Sequence, residues 1–585
     1  MQTRHKSLLV ICALWINTLN AADLLYVVSS TGDDANPGTQ AAPFRTIERA
    51  RDTLRPLLTA SKARIARISL EGTFALSEPL LFTPDDGGHQ NLQVIYEGVG
   101  NAALIHGGIE LNAWESDGNT WQTQVPPGVT PRDLYLGKAR ATRARHPNTD
   151  WLRIEKAFPD NRTGFFFGQG DFPEGLDPQH MEVVLLHDWS ISRIPVLSID
   201  DGARRLSTRF PIGCKAPHYA ITHFEKHPRY ALENHAAFLD APGEWFFDPD
   251  MRTLRVMSKN APAHAVVPVA TGLIEIRGTP ERPVRNLHFR NLHFAYTDWA
   301  LPPEGYVSGQ AAVHERRDGS AQTNQRIFVP PAILADHAEG LHLTGCTLRN
   351  LGGSGIWLQQ NCRASTVNSN HFFDIAANGV MIGEGNPSAE QTTRNIRISH
   401  NDIQSCGTRF HGAVGIWAGI VRDVRVDQNH IQHLPYTGIS IGWKWDDKST
   451  PAGNNIIADN HIHRCMQLLS DGGGIYTLGN QPNSQLIGNR IHDIPLNAGK
   501  AESNGMFLDQ GSTGFSIMHN TIYGLERSPL RFHQAGTNTV QMNTLICAPG
   551  IDPIRYNNTP AERITVIDNE VTTAPKATPA RPAAP

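Results

Sequence analysis

The chain has 585 residues, 52 Lys and Arg against 56 Asp and Glu, a formal net charge of −4 and 40% hydrophobic residues. This near-neutral balance, without a basic block or a phosphate-cradling glycine loop, excludes nucleic acid and membrane surfaces as partners. The 51 glycines suit a turn-rich β protein, and the length can bury one long core or two domains.

Residues 1–22 place Arg4, His5 and Lys6 before the apolar run Ser7 to Leu19 and then Ala21-Ala22, the pattern of a secretory leader cleaved near Ala21 or Ala22. The run is too short for a permanent anchor, so the mature protein is expected to be exported, periplasmic or secreted. In residues 23–107, Tyr26-Val27-Val28 reads as a strand and Asn36-Pro37-Gly38 as a turn. Pro43 to Thr46 leads into an amphipathic helix with Ile47, Ala50, Leu54 and Leu58 on one face. Such a helix would close the open end of a solenoid, whose first coils follow at Ile68–Leu70, Leu92–Tyr96 and Ala103–Ile105.

Over residues 108–268 no repeat is visible, and β runs such as Glu182–Leu186 predict an inserted, sandwich-like β-rich domain. His187-Asp188-Trp189 and Arg143 to His146 are its candidates for reaching over a groove. The main solenoid spans residues 269–571, with a long excursion at Trp299–Pro330. Residues 572–585 are rich in Ala and Pro and are expected to be a disordered tail.

Two repeated elements define that solenoid. Asparagines recur at Asn370, Asn401, Asn429, Asn460, Asn489, Asn520, Asn543 and Asn569, at intervals of 31, 28, 31, 29, 31, 23 and 26 residues, each followed two positions on by an apolar residue. A glycine-led strand recurs in the same period, with Ile356, Val380, Ile416, Ile439, Ile475 and Met506 facing in. Trp357, Met381, Trp417, Ser440, Tyr476 and Phe507 therefore face out. Five residues after each asparagine lies a second inward position: Ile375, Cys406, Leu434, Cys465, Ile494 and Leu525. No helical pattern long enough for a crossover separates these strands, which leaves an all-β fold, a right-handed parallel β-helix with asparagines stacked at an inner corner. Of the 7 cysteines, Cys12 falls in the leader; Cys406 and Cys465 hold equivalent inward slots two coils apart and are read as buried free thiols.

Two adjacent repeats carry one carboxylate each, Asp471 in SDGGGIYTLGNQP and Asp509 in GMFLDQGS. Glycoside hydrolysis needs one acid to protonate the leaving oxygen and one carboxylate to attack C1 or activate water. Gly472, Gly473 and Gly474 are read as leaving side-chain space open for a sugar beside Asp471. The outward aromatics Trp357, Trp417, Tyr476 and Phe507, with Trp443 and Trp445 from a flanking loop, form a candidate sugar-stacking platform. Glu384 is a candidate third carboxylate, while Asp446-Asp447 reads as a loop feature. His463 and His492 read as corner histidines bonded to backbone. No metal motif is visible and no cofactor is required. A uronate-cleaving lyase would use a Lys, Arg or Tyr base and often a Ca²⁺ held by several acids, an option that Tyr476 and Arg531 keep open, and a noncatalytic glycan-binding β-helix would need only the aromatics.

The motifs YVVSSTGDDANPGT, RATRARHPN, ENHAAFLDAPGEWFFD, TGISIGW, LSDGGGIYTLGNQP and GMFLDQGS together resemble glycoside hydrolase family 141, over nearly the whole mature chain. The resemblance implies a β-helix enzyme with α-L-fucosidase or xylanase activity on a plant-type polysaccharide, with Asp471 and Asp509 matching the catalytic pair; separately, the chain is expected to be a monomer. The run PLRFHQAG departs from the family's pattern at His533, which is carried as a candidate substrate-binding residue.

Overall fold

The computed structural model describes residues 23–574 apart from 60–61, 101–102, 224, 300, 319–320 and 500. The expected leader, and the tail beyond residue 574, lie outside the described residues. Three long parallel sheets of 15, 11 and 12 strands run the length of the molecule, each strand pairing with its counterpart one coil away. With right-handed crossovers this is a right-handed parallel β-helix.

The inward ladder pairs in register, Ile356 with Val380, then Ile416, Ile439, Ile475 and Met506, and every member is buried. Cys406 and Cys465 are buried and free, as are the other four described cysteines. Burying each branched side chain contributes about 1.5–3 kcal/mol, so the repeat itself supplies the driving force for stacking.

The corner chemistry explains the asparagines. The residue before each one is left-handed, Ser369, His400, Gln428, Asp459, Gly488, His519, Met542 and Asp568 in turn. Such a bend turns backbone groups away from the ladder, and the buried asparagine satisfies them. Asn460 shows the pattern: its Oδ1 accepts from the backbone N–H and Nδ2 of Asn429 at 3.0 and 2.9 Å, and its Nδ2 donates to Val426 O and Asn489 Oδ1 at 3.0 and 2.9 Å. Asn460→Ala leaves a buried N–H and a buried carbonyl unpaired and is expected to cost on the order of 3 kcal/mol, read as a lower midpoint in denaturant unfolding.

The helix Ile47–Leu58 caps one end, with Ile47, Ala50, Leu54 and Leu58 buried. Thr46 caps it by accepting from Arg49 N at 3.2 Å. Among the described residues no helix is long and apolar enough to cross a membrane. After the first coils the chain leaves along Gly108–Leu111 and returns along Ala265–Pro268, and these two strands pair antiparallel, Gly108 with Pro268. Because the two ends meet, the flanking coils stack directly, Leu80 on Ile274 and Val94 on Leu287. The intervening segment forms three sheets that are antiparallel except for one parallel pair, Thr142–Arg143 on Glu244–Trp245. The excursion at residues 299–330 adds Tyr306–Val307 to one of them, then returns over the outer face of the 11-stranded sheet, where Phe328 packs on Trp357 and Trp417.

Candidate active site

Asp471 immediately precedes the strand Gly472–Thr477, and Asp509 immediately follows Ser503–Leu508, its neighbour in the 11-stranded sheet. The next strand, Leu530–His533, places Arg531 in register with Phe507 and carries His533 two residues on, facing the same way. The two carboxylates meet different partners there. Asp471 Oδ1 accepts from Arg531 Nη1 at 3.2 Å. Asp509 is held on both oxygens: Oδ2 accepts from the Tyr476 hydroxyl at 2.5 Å, and Oδ1 lies 2.7 Å from His533 Nδ1, which donates in its Nδ1–H tautomer. The Arg531 guanidinium also lies over the Phe507 ring, 4.1 Å from its centroid, which fixes its approach to Asp471.

Asp471 is left-handed, at φ 59°. Its backbone is clamped: N–H donates to Glu502 O at 3.1 Å, and its carbonyl accepts from Tyr436 Oη at 2.9 Å, with Gln310 of the excursion donating to the same hydroxyl at 3.1 Å. The inserted domain adds Asp188, whose carbonyl accepts from Ser470 N at 2.7 Å and whose carboxylate accepts from Ala501 N at 3.2 Å. The Asp471 side chain remains 24% exposed, so it is the carboxyl of the pair that opens to solvent, against 10% for Asp509. Burial lifts the Asp471 carboxyl to about 6 against the opposing pull of Arg531, and the neighbouring charges of Asp509 and Asp188 add to the rise. Burial, reinforced by Asp509, holds the Tyr476 phenol well above its usual range.

Several expectations need correction. Gly472, Gly473 and Gly474 do not open space for a sugar: a Cβ at Gly472 would sit 2.4 Å from Thr437 Oγ1, at Gly473 2.7 Å from Asn504 O, and at Gly474 2.6 Å from Ile491 Cγ2. They are glycine because neighbouring atoms already fill the space a Cβ would take. Trp417 faces out of the coil but is 0% exposed, and Trp357 is 8% exposed with its indole N–H donated to Gly383 O at 2.8 Å. Phe328 and Trp443 seal them, so this part of the expected stacking platform is interior. Glu384 follows the strand Val380–Ile382, three strands from Gly472–Thr477 in the 11-stranded sheet, and accepts from Gln359 Nε2 at 2.6 Å. Tyr476 and Phe507 are also buried, and they serve as partners of Asp509 and Arg531 rather than as stacking faces. Trp445, at 38%, is the exposed ring of the expected platform; its loop lies against the backbone after Asp509, where Gly511 abuts Asp446 O. His463 and His492 do not bond corner backbone but stack face to face on the outside of the 12-stranded sheet, ring centroids 4.9 Å apart.

Reading the sequence alone left Tyr436 and Gln310 unassigned and considered Arg531 only as a lyase base. The signal for Arg531 was its place in the outward column, after Tyr476 and Phe507.

A family model described as "Right handed beta helix region" matches residues 331–522 and, overlapping, 391–577. None of the curated proteins matches the chain. Among solved structures, one described as a glycoside hydrolase is similar at 23% identity and a TM-score of 0.77, covering 92% of this chain and 96% of the other. XylC in complex with xylose shares 12% identity at a TM-score of 0.47, covering 94% of this chain and 84% of the other. A lacto-N-biosidase of family GH136 from Eubacterium ramulus shares 11% at 0.44, covering 94% and 68%. The family model and the likeness at a TM-score of 0.77 establish the right-handed parallel β-helix.

Proposed function

We propose that this chain is an exported glycoside hydrolase that cleaves an α-L-fucoside or a xylan- or pectin-type linkage in a plant-type polysaccharide by a two-carboxylate mechanism. The observation that carries the reading is the unlike setting of two adjacent carboxyls, a pattern that separates acid from base. Asp471, solvent-facing and lifted to about 6, is the general acid and protonates the leaving oxygen. Asp509, with both oxygens accepting, is fixed as the group that attacks C1 or activates water. Tyr476 and His533 are positioning residues that aim it. Trp445 offers the exposed ring on which a pyranose can stack. The likeness to a solved glycoside hydrolase agrees with this assignment.

The lyase alternative fares worse. Tyr476 holds its proton against Asp509, and Arg531 is engaged with Asp471, so neither is free to abstract a proton from a uronate. The test is incubation with xylan, pectic and fucosylated oligosaccharides, with and without a chelator. Release of reducing sugar without new ultraviolet absorbance from unsaturated uronates supports hydrolysis; new absorbance lost on chelation would sink it.

The pH profile tests the role of Asp471. A general acid must be protonated, so the rate is expected to fall as pH rises through about 6. Because Arg531 pulls the Asp471 value down, Arg531→Met is expected to move that alkaline limb to higher pH, and a limb that moves down or stays in place contradicts the assignment.

A further inference from the structure

We propose that the outer face of the 12-stranded sheet carries a binding site for one divalent transition-metal ion of the zinc, nickel or copper class, held by His430, His461 and His463. Two adjacent strands build it, His430–Gln432 and His461–His463, and the next, Arg490–Ile494, adds His492: His430 is in register with His461, and His463 with His492, so the imidazoles form two columns. The columns lean together. His430 Nε2 lies 2.9 Å from His463 Nε2, and His461 Nε2 lies 2.8 Å from His492 Nε2. One ring nitrogen from each of His430, His461 and His463 falls within 4.8 Å of the others, and His463, His492 and Asp493 form a second such group sharing His463.

The geometry suits nitrogen ligands of a four-coordinate ion. Bonds of 2.0–2.1 Å in a tetrahedron separate the ligand atoms by about 3.3 Å, so opening the His430–His463 contact by a few tenths of an ångström admits the ion. The outer shell is also in place. Asp402 Oδ1 lies 3.2 Å from His430 Nδ1, which turns its Nε2 inward as carboxylates do behind metal-bound histidines, and Asp493 Oδ2 holds the neighbouring His492 in the same way, 3.1 Å from its Nδ1. His463 Nδ1 is buried with no hydrogen-bond partner among the described residues. The nearby cations are engaged elsewhere, Arg490 on the Tyr523 hydroxyl at 3.0 Å and Arg464 on His433 at 3.3 Å. A set of three imidazoles selects a borderline transition metal over calcium or magnesium, which take oxygen donors. Such an ion would tie consecutive coils together, on a different sheet from Asp471 and Asp509.

The experiment is calorimetric titration of the untagged, chelator-treated full chain with Zn²⁺ alone, paired with thermal unfolding. One ion is expected per chain, with a raised unfolding midpoint. His461→Ala and His463→Ala are each expected to weaken binding at least about tenfold, and Mg²⁺ and Ca²⁺ to give no saturable heat. His430→Gln, at a side chain 40% exposed, serves as the ligand-deleting variant should either of the others fail to fold. Absence of saturable Zn²⁺ binding, or unchanged affinity in folded variants, overturns the proposal. Glycosidase activity does not enter the readout.

Discussion

Asp509→Asn is expected to lower kcat/KM on the responsive glycoside by on the order of 10³-fold or more, whatever the leaving group, while the fold is kept. An amide cannot attack C1 or take a proton from water. It also presents an NH₂ to one of the two groups that donate to Asp509, Tyr476 Oη and His533 Nδ1, so the local geometry loses a bond as well as a charge. Asp471→Asn should behave differently. It removes only the proton donor, so natural glycosides should slow by about 10²–10⁴-fold. Aryl glycosides with an activated leaving group, which need no proton, should be largely spared. The same variant should lose the alkaline limb near pH 6. Measured together on natural and nitrophenyl substrates, the two variants separate the roles; equal losses on both substrates for Asp471→Asn would remove it as the acid. If both folded variants keep most of their activity, the chemistry lies elsewhere on the molecule.

Trp417→Ala is expected to destabilise the chain by about 3–5 kcal/mol, the cost of deleting a fully enclosed aromatic ring. The ring is packed by Phe328, centroids 4.5 Å apart, and by Trp443 at 5.3 Å, and its edge reaches the backbone at Gly419. The cavity cannot collapse easily, because its walls are strands held in register by the coils on either side. Trp417→Phe should cost much less, since it keeps an apolar ring and deletes an indole N–H that has no acceptor among the described residues. Denaturant unfolding checks both. The outcome also discriminates the two readings of this residue: a sugar-stacking tryptophan would lose substrate affinity with stability unchanged, whereas an interior one loses stability first.

The amino-acid sequence by itself determined the solenoid. In a parallel β-helix each coil touches only the next, so the register of the whole is the local repeat written many times. The asparagine spacing named the buried corner, and the glycine-led strands named which residue of each coil faces in. The capping helix was legible for the same reason, since its apolar face must cover the first coil. What the local pattern cannot carry is how the outer face of the coil is covered. Trp417 and Ser440 occupy equivalent outward positions, yet Trp417 is sealed by Trp443 and by Phe328, the latter from an excursion of the chain far from it in sequence. The three glycines after Asp471 read as open space and proved to be close packing, because Thr437 and Asn504 come from neighbouring coils. The partners of the two carboxylates were hidden likewise: Arg531 lies 60 residues from Asp471 and Asp188 is 282 from Ser470. Only the tertiary structure decided these, because side chains converging from different coils and from an inserted domain leave no periodic trace, whereas alternation along a strand does.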